Sequence, residues 1–200
     1  QGGVQKFIFQ GAKKKNAVLF PLNVVELTYY NRPDSELGKL TQIEIVHPLT
    51  AIAFEPIRSV IAFFIADVLK QTLHTNEKEI QQFDFLVQAI LELDQTPNVG
   101  MFPLKFLVEF CEFIGIAPSE NGDEPHYFNM TEGEFHSDYR MGDWCLEGEI
   151  VQSLKSLFSG NEIPITQKKA CLEVILQYYQ IHVPRFNVDN SLEIIREVLY

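Results

Sequence analysis

The apolar periodicity of this chain changes once, near His47-Pro48, and that change limits its architecture more than any single motif does. Before it, apolar residues alternate along Val4 to Phe9 and again along Leu40 to Val46, the period of strands buried on one face. The segments Ala17 to Phe20 and Leu22 to Tyr30, rich in Val, Leu, Phe and Tyr, also read as β structure, with Asn31-Arg32-Pro33-Asp34-Ser35 as a turn cluster. Pro21 interrupts the second run, which predicts an edge position or a bulge there. Strands followed by helices in a block, rather than alternating with them, predict an α+β protein of two modules.

From Pro56 the period is helical. Ile57, Val60, Ile61, Phe64, Ile65, Val68 and Leu69 form one broad stripe, and Pro56 suits the first turn. Asn76 and Glu79 make an N-cap signature for a second helix through Phe83, Leu86, Val87, Ile90 and Leu91. A third helix is expected from Phe102 through Phe106, Phe110 and Phe113, stopped by Gly115. Ala117 to Gly142 has little periodicity and several Pro and Gly residues, and reads as a mostly irregular insertion feeding a helix from about Trp144 to Phe158. Thr166 is the expected cap of a helix through Leu176 and Tyr179, and Asn190 or Ser191 starts a short terminal one. The domains on this reading are a β module at residues 1–50 and a helical bundle at 51–200, with an acidic insertion at about 117–143.

Charge follows the same division. The net charge is −11, yet residues 1–50 hold six Lys/Arg against four Asp/Glu, and the remaining 150 hold ten against 23. A small basic module on an acidic one is compatible with nucleic-acid binding, which a uniformly acidic chain disfavours. The densest basic stretch is Lys13-Lys14-Lys15, just after Lys6-Phe7-Ile8-Phe9-Gln10-Gly11. By itself such a triplet reads as a solvated loop at the end of a strand; its self-repulsion also suits an anionic ligand.

Other classes are disfavoured. No apolar run approaches the length of a membrane span, and the start lacks a signal-peptide core. Three widely spaced cysteines, Cys111, Cys145 and Cys171, fit reduced thiols of a cytosolic protein better than a disulfide framework. There is no Gly-rich phosphate loop, GxSxG elbow or HExxH helix; Glu132-Gly133-Glu134 with Asp138 offers only the carboxylate pairs any acidic loop contains. No enzymatic activity and no cofactor are expected. His126, His136, Asp138 and Cys145 could be drawn as a mixed metal site, but their spacings match no standard pattern, and no metal is assigned.

Three stretches in order carry a family likeness. They are Phe7-Ile8-Phe9-Gln10-Gly11-Ala12-Lys13-Lys14-Lys15-Asn16 leading to Leu19-Phe20-Pro21-Leu22-Asn23-Val24-Val25-Glu26-Leu27, the helix ending Phe63-Phe64-Ile65-Ala66-Asp67-Val68-Leu69, and Tyr178-Tyr179-Gln180-Ile181-His182 with Ser191 to Leu199. In this succession the chain resembles the bacterial RecO recombination mediators, over nearly its whole length. The resemblance implies an N-terminal oligonucleotide-binding (OB) barrel followed by a helical domain. It also accounts for the strand count, since three or four strands are too few to close a barrel and the family begins with about two more. Many members carry a four-cysteine zinc insertion after the third helix; here that position holds Cys145 alone, so the usual zinc site is not expected.

The implied activity is DNA repair and recombination: binding single- and double-stranded DNA, annealing complementary strands, and helping load recombinase onto strands coated with single-stranded-DNA-binding protein, with a RecR-type partner. The implied setting is the bacterial cytoplasm, at the nucleoid. For a cationic groove with aromatic platforms, the phosphate contacts would be Lys6, Lys13, Lys14, Lys15, Arg32 and Lys39, and the platforms Phe9, Tyr29 and Tyr30. Alternation leaves at most one of Tyr29 and Tyr30 facing outward; Tyr29 is assigned to the site, although these aromatics also read as core. The family docks the acidic, Phe-ended tail of single-stranded-DNA-binding protein in a helical-domain groove. Among the candidate cations Arg58, Lys70, Lys78 and Lys105, Lys70 ranks first, with Phe64 and Arg58 beside it. The competing reading is an acidic helical protein-interaction module without direct DNA contact.

Overall fold

Alternating apolar residues build the longest strand pair. A computed structural model describes residues 5–8, 16–30, 37–73, 79–121, 124–138 and 144–199. In it β2 (Val24–Tyr30) runs antiparallel to β3 (Gly38–His47), and β3 pairs in parallel with the short β1 (Phe7–Ile8), giving the order β1-β3-β2. Leu27 pairs with Ile43 and Tyr29 with Leu40 on one face, where Ile43 and Leu40 are buried. Glu26 with Glu44, Thr28 with Gln42 and Tyr30 with Lys39 occupy the other. Irregularities at Val24/Val25 and Thr28/Tyr29 keep this alternation in phase despite an extra residue on β3 at each.

Ala17 to Phe20, expected as a strand, instead belongs to a 3-10 turn, Asn16–Leu19, and the bend after it. Pro21 has no N–H for a ladder, Leu22 takes φ 66°, and the Asn23 side-chain amide donates to the Val18 carbonyl at 3.1 Å. Among the described residues the sheet is open, and no barrel closes.

The chain packs as two units, Gln1–Val99 with Asn190–Val198 and Gly100–Asp189 with Leu199–Tyr200. The change from strand to helix lies inside the first. There α1 (Pro56–Thr72) buries Ile61, Ala62, Phe64, Ile65 and Val68, while α2 (Ile80–Gln95) buries Ala89, Ile90 and Leu93. Pro56 opens α1 as expected; the cap residue Asn76 lies outside the described residues. Two aromatics of these helices are on the surface: Phe63, which lies off the buried stripe of α1, and Phe83, expected on the apolar face of the second helix but exposed in the first turns of α2.

The turn leading into α1 is held by one carboxylate. Asp94 accepts from the backbone N–H groups of Thr50, Ala51 and Ile52 at 2.8–3.0 Å and from the Thr50 hydroxyl at 3.1 Å. Burial raises the Asp94 pKa, but the donors on Ile52, Thr50 and Ala51 outweigh it and hold the carboxyl below its ordinary value. The resulting stability is present above the unfolded value near pH 4 and is lost as pH falls through the folded one. Replacing Asp94→Asn is expected to cost about 2 kcal/mol at pH 7. Urea unfolding at pH 7 and pH 3 tests this: the gap from wild type should narrow in acid, and an equal gap at both pH values contradicts the assignment.

In the second unit α3 (Phe102–Phe113), α4 (Glu149–Phe158) and α5 (Lys168–His182) carry the core. Gly115, at φ 74°, ends α3 as predicted; Ile116 N–H returns to the Cys111 carbonyl and Gly115 N–H to that of Glu112, the paired bonds of a left-handed glycine stop. Thr166 lies in a 3-10 turn, Ile165–Gln167, that precedes α5. The terminal helix α6 (Asp189–Leu199) begins a residue or two earlier than expected.

The segment read as irregular is a second sheet. Strands β4 (Ser119–Asn121), β5 (Tyr127–Asn129), β6 (Glu134–His136) and β7 (Cys145–Glu147) lie in the order β4-β6-β5-β7. Each has three residues, too few for a period of two to show. Packing organises them: Phe128 and Phe135, both buried, stack at 4.4 Å, with Tyr178 at 5.6 Å from Phe128 and Phe158 at 6.2 Å from Phe135. Trp144, the expected helix start, precedes β7. Burial pushes Cys111 up to about 12 and Cys171 up to about 11, so both thiols stay protonated and inert near neutral pH.

Candidate nucleic-acid interface

Cross-strand pairing decides which candidate residues meet. Lys39 stands between Ile8 of β1 and Tyr30 of β2 in one row across the sheet, and directly paired residues project to the same face. Lys6, two residues before Ile8, falls on that side by the same alternation, and its carbonyl accepts from Gly38 N–H at 3.0 Å. Lys6, Ile8, Lys39 and Tyr30 are all exposed. Two of the predicted phosphate contacts thus share one end of the solvent face. Lys13, Lys14, Lys15, Arg32 and the aromatic candidate Phe9 lie outside the described residues.

Tyr29 is on the opposite face. It pairs with buried Leu40, and its ring lies 4.7 Å from Phe7. At 42% exposure against 45% for Tyr30, accessibility does not separate the two tyrosines; the face does. The aromatic beside a lysine is Tyr30, not the predicted Tyr29. The sequence held the signal, because Glu26 and Thr28 are polar and Tyr30 continues their parity along β2.

The face changes sign along its length. Two pairs from Lys39 toward the other end of β3, Glu26 stands directly opposite Glu44, and the Gln42 amide donates to Glu44 at 2.6 Å. Like charges so placed repel one another and repel phosphate.

The predicted partner-binding residues separate too. Phe64 is fully buried in the core, which removes it from any surface groove. Arg58 is 9% exposed and is used internally: its guanidinium donates to the carbonyls of Leu93 and Thr96 at the end of α2, and to Glu55 at 2.7 Å. Lys70 is exposed in the last turn of α1. The aromatic on its side of the helix is Phe63, 49% exposed and in edge contact with Phe20 at 5.7 Å. A spacing of seven puts Phe63 and Lys70 on one stripe, a relation visible in the sequence. Lys78 lies outside the described residues, and Lys105 lies 3.9 Å from Glu109.

The possible metal donors do not converge. His136 is buried, stacked on Tyr127, with Nδ1 2.5 Å from the backbone oxygen of Asp138 and Nε2 3.9 Å from the Cys145 sulfur. His126 is exposed and meets His136 through its backbone N–H. Burial, and then the charge of Glu147, push the Cys145 thiol up, away from the thiolate zinc requires. Among the described residues no group of three or more His, Cys, Asp or Glu is placed to hold a metal. One thiol held protonated does not fit the family's four-cysteine zinc site.

Comparison with known proteins adds the family. The family described as "Recombination protein O C terminal" matches residues 53–191. The chain belongs to the RecO family. It is 27% identical over 197 residues to the DNA repair protein RecO of Flavobacterium psychrophilum, covering 96% of this chain and 83% of that protein. The DNA repair protein RecO of Bacteroides fragilis is 29% identical over 204 residues, covering 94% and 81%. That of Christiangramia forsetii is 25% identical, covering 93% and 80%. The family match includes α1 to α5 and the second sheet, whereas β1, β2 and β3 precede it. Among the described residues no helix is long and apolar enough to cross a membrane.

Proposed function

We propose that this RecO-family chain acts in DNA repair and recombination by binding DNA through the solvent face of its first sheet. The observation that carries the reading is the row Ile8–Lys39–Tyr30 with Lys6 on the same face. Lysines at one end of an open sheet offer sequence-independent phosphate attraction, and family membership supplies the context. We assign the three strands to an OB-type module, the architecture that the family resemblance implies. The finer role is that of a non-enzymatic, cytoplasmic mediator: annealing strands and helping load recombinase onto DNA coated with single-stranded-DNA-binding protein, together with a RecR-type partner.

Salt-dependent DNA binding tests this. Lys39→Glu is expected to weaken binding about tenfold and to flatten the plot of log affinity against log salt by about 0.7 on single strands, as one phosphate contact requires. Lys13, Lys14 and Lys15 changed together to Ala should flatten it further. Unchanged affinity and slope in both variants contradict the reading.

The exposed pair Phe63 and Lys70 favours a second binding role on α1, an apolar ring beside a cation suited to the acidic, Phe-ended tail of single-stranded-DNA-binding protein. Titrating the tail peptide against Lys70→Glu should show weakened binding; equal affinity removes Lys70.

A further inference from the structure

We infer that Tyr30 is the base platform of the DNA-binding face and gives it a preference for single strands over duplex. The inference rests on the DNA-binding reading above and adds to it which side chain discriminates, and which way the strand crosses the sheet. Lysines attract duplex and single strand alike, because phosphates are exposed in both. An exposed aromatic ring discriminates, because it can stack only on a base whose face is uncovered, and duplex bases are covered by their neighbours. Tyr30 is such a ring, 45% exposed and directly paired with Lys39, whose other neighbour in the row is Ile8. A base lying on Tyr30 has an ammonium beside it for its phosphate. Tyr29 cannot take this part, since it faces the other way against Phe7 and Leu40.

The acidic pair sets the direction. Glu26 and Glu44 lie on the same face, four residues along β2 from Tyr30, about 14 Å at the rise of a strand. A strand running along β2 would bring its phosphates over two carboxylates. Among the described residues, the row across the sheet from Tyr30 of β2 over Lys39 to Ile8 of β1, with Lys6 beyond, presents only aromatic, cationic and aliphatic side chains. The contact is therefore short and transverse, and the carboxylates limit its length.

Fluorescence anisotropy with the full chain, a labelled oligothymidine and a duplex of equal length tests both statements. Tyr30→Ala is expected to weaken single-strand binding about tenfold, the loss of one stacked base, and to leave duplex binding within twofold. Tyr30→Phe should retain both. Glu26→Gln with Glu44→Gln should strengthen binding and lengthen the oligonucleotide needed for full affinity. Unaltered duplex binding in Tyr30→Ala also reports an intact fold. Equal losses on single strand and duplex overturn the platform, as does full single-strand affinity in Tyr30→Ala. If Tyr30→Ala is silent while Lys39→Glu still weakens binding, the inference fails and the DNA-binding reading stands. If wild type binds neither DNA at low salt, both fall.

Discussion

Arg58→Met is expected to destabilise the first unit by about 3 kcal/mol, more than removal of any exposed lysine. The guanidinium closes the carbonyls of Leu93 and Thr96 as well as the carboxylate of Glu55. Carbonyls at a helix end have no partner within their own helix. Met fills similar volume but donates nothing, and leaves two of them unsatisfied at about 1.5 kcal/mol or more each. Glu55 contributes less, because its carboxylate is 56% exposed and water replaces the arginine there. Lys at this position has one donor group where the site uses a planar fork, so Arg58→Lys should recover less than half of the loss. Denaturant unfolding measures both, and a cost below 1 kcal/mol for Arg58→Met contradicts the assignment. A functional consequence follows: weak binding of an acidic peptide by an Arg58 variant reports lost stability rather than a lost surface contact.

Gly133→Ala is expected to cost about 3 kcal/mol in the second unit, from two separate causes. Gly133 ends the tight connection between β5 and β6 at φ 66°, a left-handed conformation costing a residue with a Cβ about 1 kcal/mol or more. An added Cβ would also lie 2.3 Å from the Tyr178 hydroxyl oxygen, so one of them must move. Tyr178 cannot move cheaply, since it is buried, contacts Phe128, and donates to the Ile116 carbonyl at 2.8 Å. Tyr178→Phe alone should cost about 1 kcal/mol for that bond. In the Gly133→Ala background the same change removes the colliding oxygen and leaves the ring carbon at 3.4 Å. The double variant should therefore be at least 1 kcal/mol more stable than the sum of the single effects. Additive costs would mean that the backbone conformation alone matters at Gly133.

Much of the first unit was legible locally. The stripe Ile61, Phe64, Ile65, Val68 is a property of one helix, and so is Gly115 as the stop of α3. The face of Tyr30 was legible as well, from Glu26 and Thr28 in the same strand, and so was the stripe shared by Phe63 and Lys70. Tyr29 and Phe64 suit a binding site by residue type and by their neighbours in the chain, whereas outward projection depends on strand parity and helical angle. The small sheet was not legible, because strands of three residues leave no period to read. Stacking of Phe128 on Phe135 and their contacts with Tyr178 and Phe158 organise it, and these contacts join residues far apart in the chain. The Glu132-Gly133-Glu134 stretch, drawn as a carboxylate pair, serves a turn: Asn129 accepts from Thr131 and Glu132 N–H at 3.0 and 3.1 Å.

Local pattern was enough for the α+β class, the cationic β module, the order of helices and the family likeness, because each depends on residues close together in the chain or on their succession. Tertiary structure decided what each charge and ring is used for. A guanidinium on a helix reads as a surface cation until α2, 35 residues on, brings its last carbonyls to it. A carboxylate in the last turn of a helix opposes the helix dipole, and becomes stabilising only because the turn at Thr50–Ile52 aims three N–H groups at it. The lysine row follows the same physics, since Lys6 and Lys39 are 33 positions apart and share a face only because β1 pairs with β3.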